Sequence, residues 1–134
     1  MVVARVREII DALGSRVRIG VERHAFGGLV TLERPDRRGC PRILLDIYGA
    51  ETLTAYIMSA RLSADRPLTE EIVTGAYPMR VELEHQPAPL LRLVDAAEVR
   101  LDLPAPLWDR LYAELNVALA HVREMDRRST AHLH

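Results

Sequence analysis

The sequence has one cysteine, no lysine, few aromatic residues and no long apolar run, and each shortage excludes a class of protein. Cys40 has no second cysteine to pair with and fits a reducing compartment, so we expect a cytoplasmic protein. A single Phe and a single Trp disfavour stacking on single-stranded nucleic acid. No stretch approaches the ~20 apolar residues of a membrane span. Glu8 and Asp11 interrupt the first apolar pattern, unlike a signal peptide.

Charge is balanced, with 18 basic and 19 acidic residues and a formal net charge of −1. Such a chain has no global field that attracts nucleic acid or anionic lipid, so we expect neither nucleic acid nor a membrane as a partner. The use of arginine for every basic residue is typical of a high-GC bacterial genome, so we interpret it as mutational rather than functional.

The length of 134 residues is that of one domain, since domains cluster at roughly 100 to 150 residues. The fraction of hydrophobic residues, 49%, is ordinary for a globular protein and argues against disorder. We expect a single α+β domain over residues 1–128 and a flexible C-terminal tail over residues 129–134.

Apolar residues recur at helical spacing at both ends of the chain. The first set predicts an amphipathic helix that ends at Gly14. Its members are Val3, Val6, Ile9, Ile10 and Leu13. The second set predicts a helix that begins near Pro106, a residue suited to a first helical turn. Its members are Leu107, Trp108, Leu111, Leu115, Leu119, Val122 and Met125.

Between these helices the apolar period changes to two, which predicts half-buried strands. The expected strands are Arg16–Glu22, Leu29–Arg34, Arg42–Tyr48, Met79–Glu84, one through Leu91 and Leu93, and Val99–Leu103. Gly27 and Gly28 predict a hairpin turn. Short connections make neighbouring strands antiparallel. The sequence therefore predicts an α+β two-layer sandwich, in which an antiparallel meander sheet carries the N- and C-terminal amphipathic helices on one face.

One segment fits two structures, and a second is a short turn. Residues 50–62 suit a helix through Leu53, Tyr56, Ile57 and Ala60, and a strand through Thr52, Thr54, Tyr56 and Met58. We favour the strand because Thr, Tyr and Ile prefer pleated surfaces. Pro67 and the polar residues that follow, up to Glu71, predict a short helical turn.

The sequence contains no catalytic signature. Gly27 and Gly28 lack the lysine of a phosphate loop, and neither a nucleophile elbow nor paired cysteines occur. We expect no metal and no cofactor, and we favour a role other than catalysis. Arginines cluster around the turn at residues 35–39, but Glu33 and Asp36 lie among them, which predicts a solvated, internally paired loop.

Apolar residues on a face that should be solvated are the most informative feature. Leu44, Tyr48, Tyr56 and Met58 would form an apolar island on the open side of the sheet. Ala113, Val117 and Ala120 interrupt the polar side of the last helix, where small residues would let another helix approach. We therefore expect a homodimeric protein-interaction or adaptor module, whose partners are a second copy and a further protein.

The alternative is a small-ligand binding protein or small enzyme with a pocket between helices and sheet. Tyr77, His85 and Tyr112 would supply its polar contacts. For His85, a rim position with a hydrogen bond to the backbone is the simpler interpretation.

Overall fold

Two antiparallel four-stranded meanders, each followed by a helix, make up residues 2–25, 27–63 and 66–132, which this computed structural model describes. The first unit comprises β1 (Val2–Ile10), β2 (Arg16–His24), β3 (Gly27–Glu33), β4 (Arg42–Leu45) and α1 (Ile47–Ser63). The second comprises β5 (Glu71–Val73), β6 (Met79–Glu84), β7 (Leu90–Asp95), β8 (Arg100–Pro104), a 3-10 turn (Ala105–Leu107) and α2 (Trp108–His132). The α+β class with antiparallel strands is confirmed, although the strands form two sheets instead of one.

The helices join the two units into one core. α2 packs on β1, β2 and β3 of the other unit, whereas α1 contacts α2 and strands of both sheets. Buried side chains from both sheets and both helices belong to a single hydrophobic cluster. Each unit therefore depends on the other to cover its apolar surface.

The strands with plain alternation are confirmed. In β2, Val17, Ile19 and Val21 are fully buried, and Ile19 pairs with Leu32 of β3. The same alternation holds in β6, where Met79 and Val81 are buried. The last helix is confirmed as well. At its first residue, the Trp108 Nε1 donates a hydrogen bond to the Leu103 carbonyl at 2.8 Å.

The predicted N-terminal helix is wrong, because the segment forms the edge strand β1. A bulge explains the misleading spacing: Val3 pairs with Glu22 and Arg5 with Val21, so Ala4 is an extra residue. Residues three apart across a bulge, such as Val3 and Val6, then share a face of the strand, as they would in a helix.

The predicted strand over Arg42–Tyr48 ends early, and the strand favoured for residues 50–62 is wrong. The chain turns at Asp46, whose Oδ1 accepts the Gly49 amide at 2.8 Å and caps the helix that begins at Ile47. The buried residues of α1 lie on one broad side of the helix, but Gly49, Ala50 and Thr54 make that side weakly apolar, while Tyr48 and Leu62 on the other side are exposed. Such a helix lacks the clear apolar stripe that periodicity detects.

Two further expectations concern short segments. The helical turn predicted over residues 67–71 is wrong: residues 67–70 have no regular secondary structure, and the chain then enters β5, where Glu71 pairs with Val81. The backbone of α2 continues to His132, while residues 133–134 of the predicted tail lie outside the described residues. The flexibility of that tail remains a prediction.

One arginine of the β3–β4 turn ties the two sheets together. Arg34 is only 1% exposed, and it donates through Nη1 to the Asp102 carbonyl of β8. Its Nε and Nη2 donate to the two carboxylate oxygens of Asp36. The expected pairing within the loop is therefore present, but the expected solvation is wrong for Arg34.

Candidate functional site

The four residues of the predicted apolar island do not share a sheet face. Leu44 is half-buried on β4, whereas the other three lie on α1. Tyr48 is 70% exposed and Met58 is half-buried. Tyr56 is 4% exposed, and its hydroxyl donates to the Leu68 carbonyl at 3.5 Å. Burial raises the pKa of Tyr56, which fits a core residue. The island was an error that followed from reading α1 as a strand.

The outer side of α2 is exposed at the expected positions. Ala113, Val117 and Ala120 all face solvent, and Val117 is 48% exposed. They lie opposite the buried stripe of Leu111, Leu115 and Val122. Small side chains at these positions leave the helix backbone accessible to a second helix.

Two contacts place this side of α2 beside the edge strand β1. Arg110 Nη1 donates to the Ile10 carbonyl at 2.9 Å, and Arg5 Nη2 lies 3.0 Å from Glu114 Oε2. Val117 is seven residues after Arg110 and three after Glu114, so it lies on the same side of the helix. The segment of α2 from Arg110 to Val117 therefore borders β1, whereas Ala120 lies beside Ile47 of α1.

Sequence reasoning missed an exposed apolar strip on β1. Val3, Val6 and Ile10 lie on the face of the first sheet that points away from α2, and their exposed fractions are between 43% and 57%. The helix interpretation had assigned them to the core. The charged residues Arg5, Arg7 and Glu8 between them were a signal against a continuous buried face.

A groove of about 420 Å³ opens at one end of the first sheet. It lies where the β2–β3 hairpin, the start of α1, the loop before β6 and α2 meet. Leu29, Ile47, Tyr48 and Tyr77 give it apolar and aromatic walls. A volume of this size is in the range of small-molecule sites.

Besides the hydroxyls of its two tyrosines, the polar side chains of the groove are two carboxylates and one imidazole. Asp46 caps α1, and Asp126 Oδ1 accepts the Gly28 amide at 3.2 Å. His24 Nε2 lies 3.6 Å from Oε2 of the buried Glu22. The other oxygen of Glu22 accepts a hydrogen bond from Arg42 Nη2. This contact fixes the position of the Glu22 carboxylate next to the His24 ring.

The three residues of the predicted ligand pocket are not brought together. Tyr77 lines the groove, but His85 Nε2 lies 3.1 Å from the Arg66 carbonyl, as expected for a rim histidine. The ring of Tyr112 lies 5.8 Å from the guanidinium carbon of Arg61. The groove is therefore built from a different set of residues around Tyr77.

Other candidate chemistry is accounted for locally. Asp46 acts as the cap of α1. Cys40 is exposed in the β3–β4 turn and has a φ of +44°. Within the part of the chain that the structure describes, no three His, Cys, Asp or Glu side chains are grouped as a metal site would require. Neither described helix combines the length and apolar composition needed to cross a membrane.

Comparison with known proteins adds no assignment: no protein-family model matches the chain, and no curated protein matches it in sequence. Any function must therefore be argued from the surfaces described above.

Proposed function

We propose that this protein is a non-enzymatic interaction module that forms a homodimer through one border of the molecule. The border consists of the strip Val3, Val6 and Ile10 on β1 and the outer residues Ala113, Val117 and Ala120 of α2. The observation that carries the proposal is the apolar strip on β1. This strand pairs only with β2 among the described residues, so its other edge is open.

An open edge strand pairs readily with another strand through its outward N–H and C=O groups. On β1 the Ile10 carbonyl already accepts a hydrogen bond from Arg110. The bulge at Ala4 and the hydrogen bond from Arg110 to the Ile10 carbonyl limit regular pairing to the segment from Val6 to Ile9. In an antiparallel pair of identical strands, the two-fold axis is perpendicular to the sheet. Pairing of the two β1 strands would join the first sheets of both copies into one continuous sheet. Val6 and Ile10 of both copies would then lie on the same face of this joined sheet.

The same axis places both copies of α2 on the other face of the joined sheet. Ala113, Val117 and Ala120 would line the contact between the two antiparallel helices. Small residues there permit close approach, so strand pairing and helix packing support a single arrangement. A stable interface buries about 800 Å² on each partner, roughly a tenth of the 7959 Å² surface of this chain.

We further propose that the dimer works as a cytoplasmic adaptor that holds another protein. The exposed thiol of Cys40 is compatible with a reducing compartment. The outer face of the second sheet is mainly charged, with Arg92 paired to Glu84 and Asp102, and it would remain solvated in such a dimer.

Light scattering coupled to size exclusion tests the dimer. The wild-type protein should elute with twice the mass of one chain. Val6→Glu and Val117→Glu should each raise the dimer dissociation constant about 10-fold or more, which corresponds to about 1.4 kcal/mol. Each places a charge in a contact that the dimer would desolvate.

Leu62→Glu is the matched control, because Leu62 is also an exposed apolar residue but lies on α1, away from this border. It should leave the dimer intact, and circular dichroism should show that all three variants are folded. A wild-type protein that stays monomeric at every concentration would overturn the proposal. A dimer weakened equally by Leu62→Glu would overturn the assigned border.

A further inference from the structure

The groove at the end of the first sheet is lined by residues other than those of the proposed dimer border, and we propose that it binds a neutral aromatic compound that carries a hydroxyl group. Such a ligand has a flat apolar body and one strong hydrogen-bond donor. Glu22 and His24 fix the acceptor for that donor, and Tyr48 and Tyr77 belong to the walls that hold the body.

The imidazole of His24 is oriented by the carboxylate of Glu22. His24 Nε2 lies 3.6 Å from Glu22 Oε2, and both atoms are buried with no hydrogen-bond partner among the described residues. The other oxygen of Glu22 accepts a hydrogen bond from Arg42, so the carboxylate is held in place.

This arrangement decides which nitrogen of His24 is left for a ligand. A carboxylate can only accept hydrogen bonds, so in the neutral imidazole it favours the tautomer that carries its proton on Nε2. The second nitrogen, Nδ1, then has a lone pair and acts as an acceptor. Because His24 lines the groove, a ligand hydroxyl is the group that this acceptor suits.

The two carboxylates of the groove are already engaged by the protein, which favours a neutral ligand. Asp46 Oδ1 accepts a backbone amide at the start of α1 at 2.8 Å, and Asp126 Oδ1 accepts the Gly28 amide at 3.2 Å. Asp126 also lines the adjoining depression, together with Arg123 and Arg127. A cation would therefore compete with partners that the carboxylates already have, and an anion would lie next to both carboxylates.

The walls of the groove suit a flat apolar body. Tyr48 is 70% exposed, and the half-buried Tyr77 lines the same groove. Leu29 and Ile47 add aliphatic surface. Aromatic rings attract one another in offset or edge-to-face arrangements, which contributes beyond the burial of apolar area. A groove of about 420 Å³ has room for a substituted ring.

The experiment is a titration of the full chain at about pH 8, above the ordinary pKa of histidine, followed by two-dimensional ¹H–¹⁵N NMR. The probes are 4-ethylphenol and its methyl ether, 4-ethylanisole, which has the same body but no donor. 4-Ethylphenol should shift the amides of the groove residues Gly27, Gly28, Tyr48 and Tyr77. It should bind about 5-fold more tightly than the ether, because the ether cannot donate the hydrogen bond.

His24→Phe tests the acceptor, because phenylalanine keeps a flat ring but has no ring nitrogen. It should lower the affinity for 4-ethylphenol about 5-fold and leave the affinity for the ether nearly unchanged. His85→Phe is the matched control: His85 Nε2 lies 3.1 Å from the Arg66 carbonyl, outside the groove, so neither affinity should change. Tyr48→Ala should weaken both probes by a similar factor, because it removes a wall and keeps the acceptor.

The comparison of the two probes on the wild-type chain needs no variant, and the spectrum of each variant shows whether it is folded. Equal affinity for the phenol and the ether, a phenol preference that persists in His24→Phe, shifts outside the groove or no shifts at all would each overturn the proposal. Because the titration is read at the groove, its failure would leave the proposed dimer untouched.

Discussion

Arg34 and Asp36 form a two-point ion pair, with Nε to Oδ1 at 2.9 Å and Nη2 to Oδ2 at 2.8 Å. The guanidinium of Arg34 is buried, and its remaining Nη1 reaches the Asp102 carbonyl of the second sheet. A carboxylate that accepts two hydrogen bonds from a buried guanidinium offsets the desolvation cost of its charge. The pair thus neutralises a charged side chain that joins the β3–β4 turn to β8.

Asp36→Asn should destabilise the fold by roughly 1.5–3 kcal/mol, because it removes the charge and one of the two acceptors that Arg34 uses. Urea unfolding at neutral pH measures this difference. Arg38→Ala is the control: Arg38 is exposed in the same turn and should change stability by less than about 0.5 kcal/mol. Equal effects of the two substitutions would contradict a special role of the pair.

The same pair predicts a pH dependence. Hydrogen bonding from Arg34 lowers the pKa of Asp36 to about 2 from its ordinary value of 3.8. A carboxyl whose pKa is lower in the folded state stabilises the fold above its ordinary pKa, and this stabilisation is lost as the pH falls through the folded value. The stability difference between wild type and Asp36→Asn should therefore be constant near neutral pH and shrink from below about pH 4. A difference that does not change down to the folded pKa would contradict the assignment.

Gly27→Ala should destabilise the β2–β3 hairpin for two reasons. Gly27 has a φ of +142°, which side chains rarely adopt, and a Cβ there would lie 2.5 Å from Asp126 Oδ1. The expected cost is about 1–3 kcal/mol, measured by thermal or urea unfolding. Gly39→Ala is the control for backbone strain alone, since Gly39 has a φ of +79° with no atom within 4 Å of the added carbon. If Gly27→Ala cost no more than Gly39→Ala, the contact with Asp126 would be unimportant.

Several elements could be predicted from the sequence because their burial follows a simple local rule. Alternation in β2 and β6 and the single apolar stripe of α2 each map one face of one element onto the core. The exposure of Val117 on the outer side of α2 followed from the same stripe. These patterns sufficed for the α+β class with antiparallel strands.

The tertiary structure decided the rest. The bulge at Ala4 gave β1 a helix-like spacing, and the small and polar residues on the buried side of α1 removed the apolar stripe that would have marked it as a helix. The groove joins His24, Asp46, Tyr77 and Asp126, which are far apart in the sequence. Local periodicity reports which face of a segment is buried. It cannot report an extra residue in a strand, a buried helix side made of small and polar residues, or side chains that meet only when distant segments pack together.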